Sequence, residues 1–209
     1  MAGTLWRIPT RIETERVTLR RYVEADASAL HEVTTANIEF LRPWMWWIRN
    51  EPQTIEDRVG LIGFFSQQFD SGEGFTLGMF LKDGTYLGGT GFNVFEGELE
   101  IGYWIREDFQ GKGLVTEVTA ALARVALEYA QAPRVSLAIE PTNVPSVRVA
   151  ERLGFQSRGS RADPFGPGGE VRDSLLYEVT GQGFSATRAA DFPAPLLYDA
   201  DGNLLPTSE

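Results

Sequence analysis

Apolar and polar positions alternate along this chain with a period that switches between that of a strand and that of a helix, and each switch marks an element. Arg16-Val-Thr-Leu-Arg-Arg21 alternates and reads as a strand, followed by the acidic start Val23-Glu24-Ala25-Asp26 of a helix reaching about Ala36. Leu41-Arg-Pro-Trp-Met-Trp-Trp47 has no period and reads as an irregular aromatic cluster. A second helix is predicted from about Thr54 to Ser71, ended by the Gly72 to Gly74 stretch. Phe75 to Lys82 and Tyr86 to Phe95 are predicted as an antiparallel pair joined by a type I′ turn at Asp83-Gly84.

Glu98 to Arg106 alternates most cleanly. Leu99, Ile101, Tyr103 and Ile105 share one face, which should be core, and Glu98, Glu100, Gly102 and Trp104 share the other. Past the loop Glu107 to Lys112, Leu114, Val118, Leu122, Val125 and Tyr129 recur at helical spacing, predicting about four turns stopped by Pro133. Val135 to Glu140 then reads as a strand, and Asn143 to Leu153 as a short helix with Pro145 in its first turn and Gly154 at its end. Phe155 to Ser160 and Val171 to Val179 form a closing strand pair around the loop Pro164 to Gly169. Periodicity fades from Gly181. The expected organisation is one domain over residues 1–185 and an acidic, proline-containing extension over 186–209, loosely attached from Asp191 onward. Asp199-Ala-Asp-Gly-Asn203 carries glycine at its fourth position, where a calcium loop needs it at the sixth, and reads as a surface turn.

Composition narrows the chemistry. At 209 residues, 43% hydrophobic and 23% charged, the chain is of ordinary globular type and long enough for a single sizeable core. It lacks the roughly 18 consecutive apolar residues of a membrane span, and Met1 to Thr10 do not resemble a secretion signal, so a cytoplasmic location is expected. The absence of cysteine excludes disulfides, thiolate nucleophiles and cysteine zinc sites. His31 is the single histidine, so no multi-histidine metal site can form and no metal is expected. A net charge of -10 opposes nucleic-acid and anionic-membrane binding, and suits a cationic partner or an anion held by local dipoles. Only Lys82 and Lys112 among 19 basic residues are lysine, a bias that suits a GC-rich bacterial genome.

Such an anion site is offered by Gln110-Gly-Lys-Gly-Leu-Val115, between a predicted strand and an amphipathic helix, where free N–H groups and the helix dipole converge. Gly111 and Gly113 permit close approach, and Lys112 adds a charge; a plain glycine-rich connection is the alternative. The dinucleotide fingerprint fails here for want of a third glycine and of an acid near Pro133. The nucleotide-hydrolase loop fails because Lys112 is followed by Gly113 rather than Ser or Thr.

These segments together resemble the GNAT-type N-acetyltransferases, and within them the RimJ/RimL-like group that acetylates protein N-termini. The resemblance spans roughly Arg16 to Val179. Gln110-Gly-Lys-Gly-Leu-Val115 resembles the family's Gln/Arg-x-x-Gly-x-Gly/Ala loop, which implies that its amides hold the pyrophosphate of acetyl-CoA; Val115 replaces a usually small residue and should crowd the loop. Asn143-Val-Pro-Ser146 with Glu151-Arg-Leu-Gly-Phe155 resembles the group's most specific segment. It implies a pantetheine contact for Asn143 and a position near the sulfur for Ser146. A plain structural alternative makes both helix-capping residues. Glu100-Ile-Gly-Tyr-Trp-Ile105 resembles the family's central strand, with Tyr103, Trp104 and Ile105 beside the thioester. Leu41-Arg-Pro-Trp44 resembles an acceptor-side segment, placing Trp44, Trp46 and Trp47 either at the acceptor or simply in the core. The implied fold is an α/β GNAT fold: a mixed, mostly antiparallel twisted sheet flanked by helices, with splayed central strands.

The implied reaction is direct attack of an amine on acetyl-CoA, since no cysteine can carry the acyl group. Glu100 is the candidate base and Glu98 its rival; either could instead be a solvated strand carboxylate. Ala150 stands where many relatives carry a tyrosine acid, which leaves Ser146 as the candidate acid. The expected acceptor is a protein N-terminus, with small-molecule amines, larger acyl donors and a catalytically silent CoA sensor as alternatives. A monomer or homodimer is expected.

Overall fold

A computed structural model describes residues 6–163 and 170–206. The predicted loop at Pro164 to Gly169 lies outside the described residues. The strands are β1 (Arg11–Glu13), β2 (Val17–Arg20), β3 (Gly74–Leu81), β4 (Tyr86–Phe95), β5 (Glu98–Ile105), β6 (Arg134–Ile139), β7 (Gln156–Asp163), β8 (Arg172–Thr180) and β9 (Leu196–Tyr198). The helices are α1 (Ala27–Ala36), α2 (Ile38–Leu41), α3 (Ile55–Ser71), α4 (Leu114–Arg124), α5 (Val144–Leu153) and α6 (Gly181–Phe184).

The strands form one open sheet in the order β7-β8-β6-β5-β4-β3-β2-β1-β9. Neighbours run antiparallel except β5 and β6, which are joined by the α4 crossover that a parallel pair requires. That pair is bonded only at Leu99↔Val135 and Glu100↔Ser136. Beyond it β5 stays bonded to β4 as far as Gly88↔Ile105, while β6 follows β8 as far as Ile139↔Leu175. A wedge therefore opens between the two central strands.

Period-two alternation gives the sheet two different faces. Leu77, Met79, Leu99, Ile101 and Ile105 pack with Leu114, Val118 and Leu122 of α4 in the larger core. Phe80 and Tyr86 pack with Leu30 and Val33 of α1 and Ile62 of α3 in a smaller one. Helix α3 starts where predicted: Thr54 accepts from Asp57 N–H, Asp57 accepts in return, and Gly72 ends the helix with φ 77°.

Three expectations are corrected. The β3–β4 hairpin has no type I′ turn at Asp83-Gly84: Gly84 N–H bonds Leu81 O at 3.0 Å, and only Gly84 of the turn residues has positive φ, 91°. That is a type I turn with a glycine bulge, because Leu81 pairs with Thr85 and the loop needs three residues. The turn with positive φ at both central residues is Glu96-Gly97, at 50° and 83°, between the paired Phe95 and Glu98. The helix from Leu114 does not stay regular for four turns; Val125–Tyr129 widens into a π turn, closed by Ala130 N–H to Val125 O at 2.8 Å. The C-terminal segment is not loosely attached. β9 pairs with β1 through Ile12↔Leu197, Leu197 is buried, and Arg124 holds Ala190 O at 2.8 Å and Phe192 O at 3.2 Å. Asp199 caps its own turn by accepting from Asp201 and Asn203 N–H.

Candidate active site

At the mouth of the wedge, Gln110 leads into α4 with Gly111 at φ 70° and Gly113, the residue before the helix, at φ 75°. Among the described residues no acceptor is found for the main-chain N–H groups of Gly111, Lys112, Gly113, Leu114, Val115 and Thr116; the first helical bond is Glu117 N–H to Gly113 O at 3.1 Å. A Cβ on Gly111 would meet no protein atom within 4 Å, so the space above these donors is open. Unsatisfied donors at a helix start, with positive potential behind them, form a diphosphate cradle. Val115 does not crowd it, since its side chain packs against the main core. The Lys112 ammonium sits 4.1 Å from the Phe109 ring centre, so Lys112 contributes its amide rather than an extended charge.

The cradle is braced by a residue that sequence reasoning missed. Glu117, buried in the first turn of α4, accepts from Thr14 Oγ1 at 2.6 Å, Arg16 N–H at 2.9 Å and Arg16 Nε at 2.6 Å. Arg16 Nη1 donates to Lys112 O at 2.9 Å. Burial pushes the Glu117 carboxyl up, but the Thr14 and Arg16 hydrogen bonds outweigh it and hold it below the usual range. An acid with spacing Thr-x-Arg to a strand turn roughly a hundred residues away leaves no local pattern to read.

Helix α5 follows β6 and packs against α4 and β6. Asn143 is the helix cap, its Oδ1 accepting from Ser146 N–H at 3.3 Å, so the capping reading holds for Asn143. Ser146 lies beside the Tyr103 hydroxyl, and burial raises that phenol to about 12. Ala150, one turn on, is fully buried. Tyr103 projects on the α4 face of the sheet, whereas Glu100 and Trp104 project on the face covered by α1 and α3.

Glu100 sits where β5 and β6 part, 9% exposed. Its Oε2 accepts from Arg161 Nη2 at 2.7 Å, and that guanidinium also lies 4.0 Å from the Phe95 ring centre. Burial raises the Glu100 carboxyl above its ordinary value; Arg161 and Ser136 work against that and Asp163 with it. Arg161 was invisible to a single-strand reading because it arrives on β7. Glu98 lies at the closed end of the wedge, half exposed and paired with Arg134 at 2.8 Å.

Of the three tryptophans, Trp47 reaches the site: its ring meets Trp104 edge-on at 5.7 Å, and Trp104 meets Tyr86 at 6.0 Å. Gly89 makes this possible, since a Cβ there would lie 2.6 Å from Trp104 Nε1. Trp46 is turned to the surface beside Arg49, and Trp44 stays partly exposed in the preceding turn. The loop is anchored by Arg58, 1% exposed, which bonds Glu51 at 2.6 Å and Gln53 at 2.8 Å.

A splayed parallel pair, with an amide-lined helix start at its mouth, is the architecture of an acyl-CoA-dependent N-acyltransferase. The chain belongs to the acetyltransferase (GNAT) domain family, whose profile matches residues 16–156. It is an N-acetyltransferase with acetyl-CoA as acyl donor. It is 31% identical over 190 residues to the ribosomal protein uS5-alanine N-acetyltransferase of Escherichia coli K12, covering 86% of this chain and 96% of that one. Among solved structures, Mycobacterium smegmatis RimJ in complex with CoA-disulfide superposes with TM-score 0.71 at 24% identity, covering 87% of this chain and 90% of that one. The microcin C7 self-immunity acetyltransferase MccE, in complex with acetyl-CoA and AMP, gives TM-score 0.73 at 23% identity, with 80% and 93% covered. Among the described residues no group of His, Asp or Glu is placed to hold a metal ion, and no helix is long and apolar enough to cross a membrane.

Proposed function

We propose that the acceptor is the N-terminal α-amino group of a protein, of ribosomal-protein type, acetylated by direct transfer in a ternary complex. The observation that carries this reading is the buried Glu100 carboxylate at the fork of the wedge, on the face opposite Ser146. Only a neutral amine attacks. At pH 7 an α-amine needs at most about 1.4 kcal/mol to lose its proton, and a lysine side chain roughly 4.6 kcal/mol. A carboxylate raised above its ordinary value, acting directly or through a water, is sufficient for the first. The similarity to the uS5-alanine acetyltransferase supports the choice, as does the net charge of -10, which favours a basic N-terminal segment.

In this reading the amides of residues 111–116 hold the diphosphate and Asn143 the pantetheine arm. Main-chain N–H groups near Tyr103 to Ile105 face the carbonyl oxygen, and Trp47 and Trp104 line the acceptor side. Glu98, at the closed end and paired with Arg134, is left out of the base role in this reading. A ribosomal partner places the enzyme in the bacterial cytoplasm. Mass spectrometry of products from acetyl-CoA with a mixed library of peptides and small amines tests the proposal. Acetylation of peptide α-amines is expected. Exclusive acetylation of small amines or lysine side chains overturns it, and CoA binding without turnover would make the protein a sensor.

A further inference from the structure

Glu100 on β5 and Arg161 on β7 meet on one face of the sheet, past the strands β6 and β8 that lie between them. Arg161 Nη2 donates to Glu100 Oε2 at 2.7 Å, and the Phe95 ring, its centre 4.0 Å from the guanidinium carbon, fixes the plane of that group. A guanidinium carries several N–H donors in a rigid fork, yet among the described residues this one donates to Glu100 alone, and its Nε is buried without an acceptor. A buried donor left unpaired is costly, so the arrangement is short of an acceptor. The Arg161 side chain stays 22% exposed, which lets an entering molecule reach it. Side by side at 2.7 Å, the pair presents an acceptor next to a donor. The amino end of an extended peptide presents the reverse: the α-nitrogen and the carbonyl oxygen of the first residue lie on one edge, about 2.8 Å apart.

We propose that Arg161 is a specificity-determining residue of the acetyl transfer: its guanidinium donates to the carbonyl oxygen of the acceptor's first residue while Glu100 receives the α-amine. The inference rests on the α-amine reading above. A lysine side chain or a plain alkylamine has no carbonyl beside the carbon that bears its nitrogen, so it fills half of the pair and leaves the guanidinium donor unpaired. Discrimination of this kind is strong, because the wrong ligand strands a buried polar group. The positive guanidinium next to the bound nitrogen also disfavours the ammonium form and so favours the neutral amine that attacks. The amine's proton passes to Glu100, directly or through a water. The new carbon–nitrogen bond forms as the carbon–sulfur bond gives its electron pair to sulfur, and Arg161 gives up no proton.

The test compares wild type with Arg161→Met on a pair of acceptors: a peptide with an N-terminal alanine, and the same peptide with its first amide replaced by a CH₂–O ether. Values of kcat/KM are taken at saturating acetyl-CoA, above the acid limb of both proteins, and divided by the neutral fraction of each amine. Wild type is expected to prefer the amide over the ether by about tenfold or more, and in Arg161→Met that ratio should fall towards one. An unchanged ratio overturns the proposal even where overall turnover drops, because a merely structural role would slow both acceptors alike. If Arg161→Met does not fold, the wild type decides: a preference of about tenfold supports the proposal, and equal corrected values for the two acceptors overturn it. A wild-type enzyme that acetylates no α-amine refutes the underlying reading instead, since turnover of the parent peptide is measured before any ratio is formed.

Discussion

Replacing Glu117 by Gln should loosen the diphosphate cradle without touching any group that meets the substrates. The carboxylate receives three short hydrogen bonds, from Thr14 Oγ1, Arg16 N–H and Arg16 Nε, at 2.6, 2.9 and 2.6 Å. An amide offers only one oxygen, and its NH₂ would point a donor at donors. Hydrogen bonds to a charged acceptor contribute about 1.5 to 3 kcal/mol each, and neutral ones about 1. Thr14 also has Val17 O as a second acceptor at 3.1 Å, and Arg16 is half exposed and can rehydrate, so part of the loss is recovered. The net cost is about 3 kcal/mol, which for a chain of this size lowers Tm by roughly 6 to 12 °C.

The pH dependence has a definite sign. Because the folded-state pKa of Glu117 is depressed, its contribution is fully present above the unfolded value, about 4.3, and is lost as pH falls through the folded value. Urea titrations of both proteins should therefore show a wide gap at pH 7 that narrows below about pH 4. A gap under about 1 kcal/mol at pH 7, or one that does not narrow in acid, would refute the reasoning. With Arg16 released from Lys112 O, CoA affinity measured by calorimetry should fall as well.

Gly111→Ala should leave Tm within a few degrees, since its Cβ meets no protein atom, yet weaken CoA binding by calorimetry through strain at φ 70° and the filled space above the amides. Arg161→Met removes the cation that lowers the Glu100 carboxyl, so the acid limb of the kcat–pH profile should move to higher pH; Glu100→Gln should abolish that limb along with most turnover. An unmoved limb in Arg161→Met would remove Glu100 as the base. Leu197→Ala, in the core through β9, should cost about 2 to 5 kcal/mol in denaturant titration, whereas a loose tail would show no loss.

The parts of this enzyme legible in the sequence are those made by residues close together in the chain. The alternation of Leu99, Ile101 and Ile105 gives a strand with one core face; Gly111 and Gly113 before an amphipathic run give a helix start with free amides; Asn143 three residues before Ser146 gives a cap. Local dihedral and periodicity rules are enough for each. Even there a turn type was misplaced, because Asp83-Gly84 and Glu96-Gly97 differ in how the flanking strands are paired and hardly in local composition.

Tertiary structure alone decided which distant groups share an environment. A three-residue edge strand such as β9 has too few positions to show a period, and it exists only because β1 offers unpaired hydrogen-bonding groups and a place for Leu197. The Arg161–Glu100 pair, the Thr14–Arg16–Glu117 brace and the facing of Tyr103 and Ser146 each join elements far apart in sequence. Charge pairing, burial and their effect on acidity depend on through-space distance, and that distance is set by how the sheet is ordered and where its central strands separate.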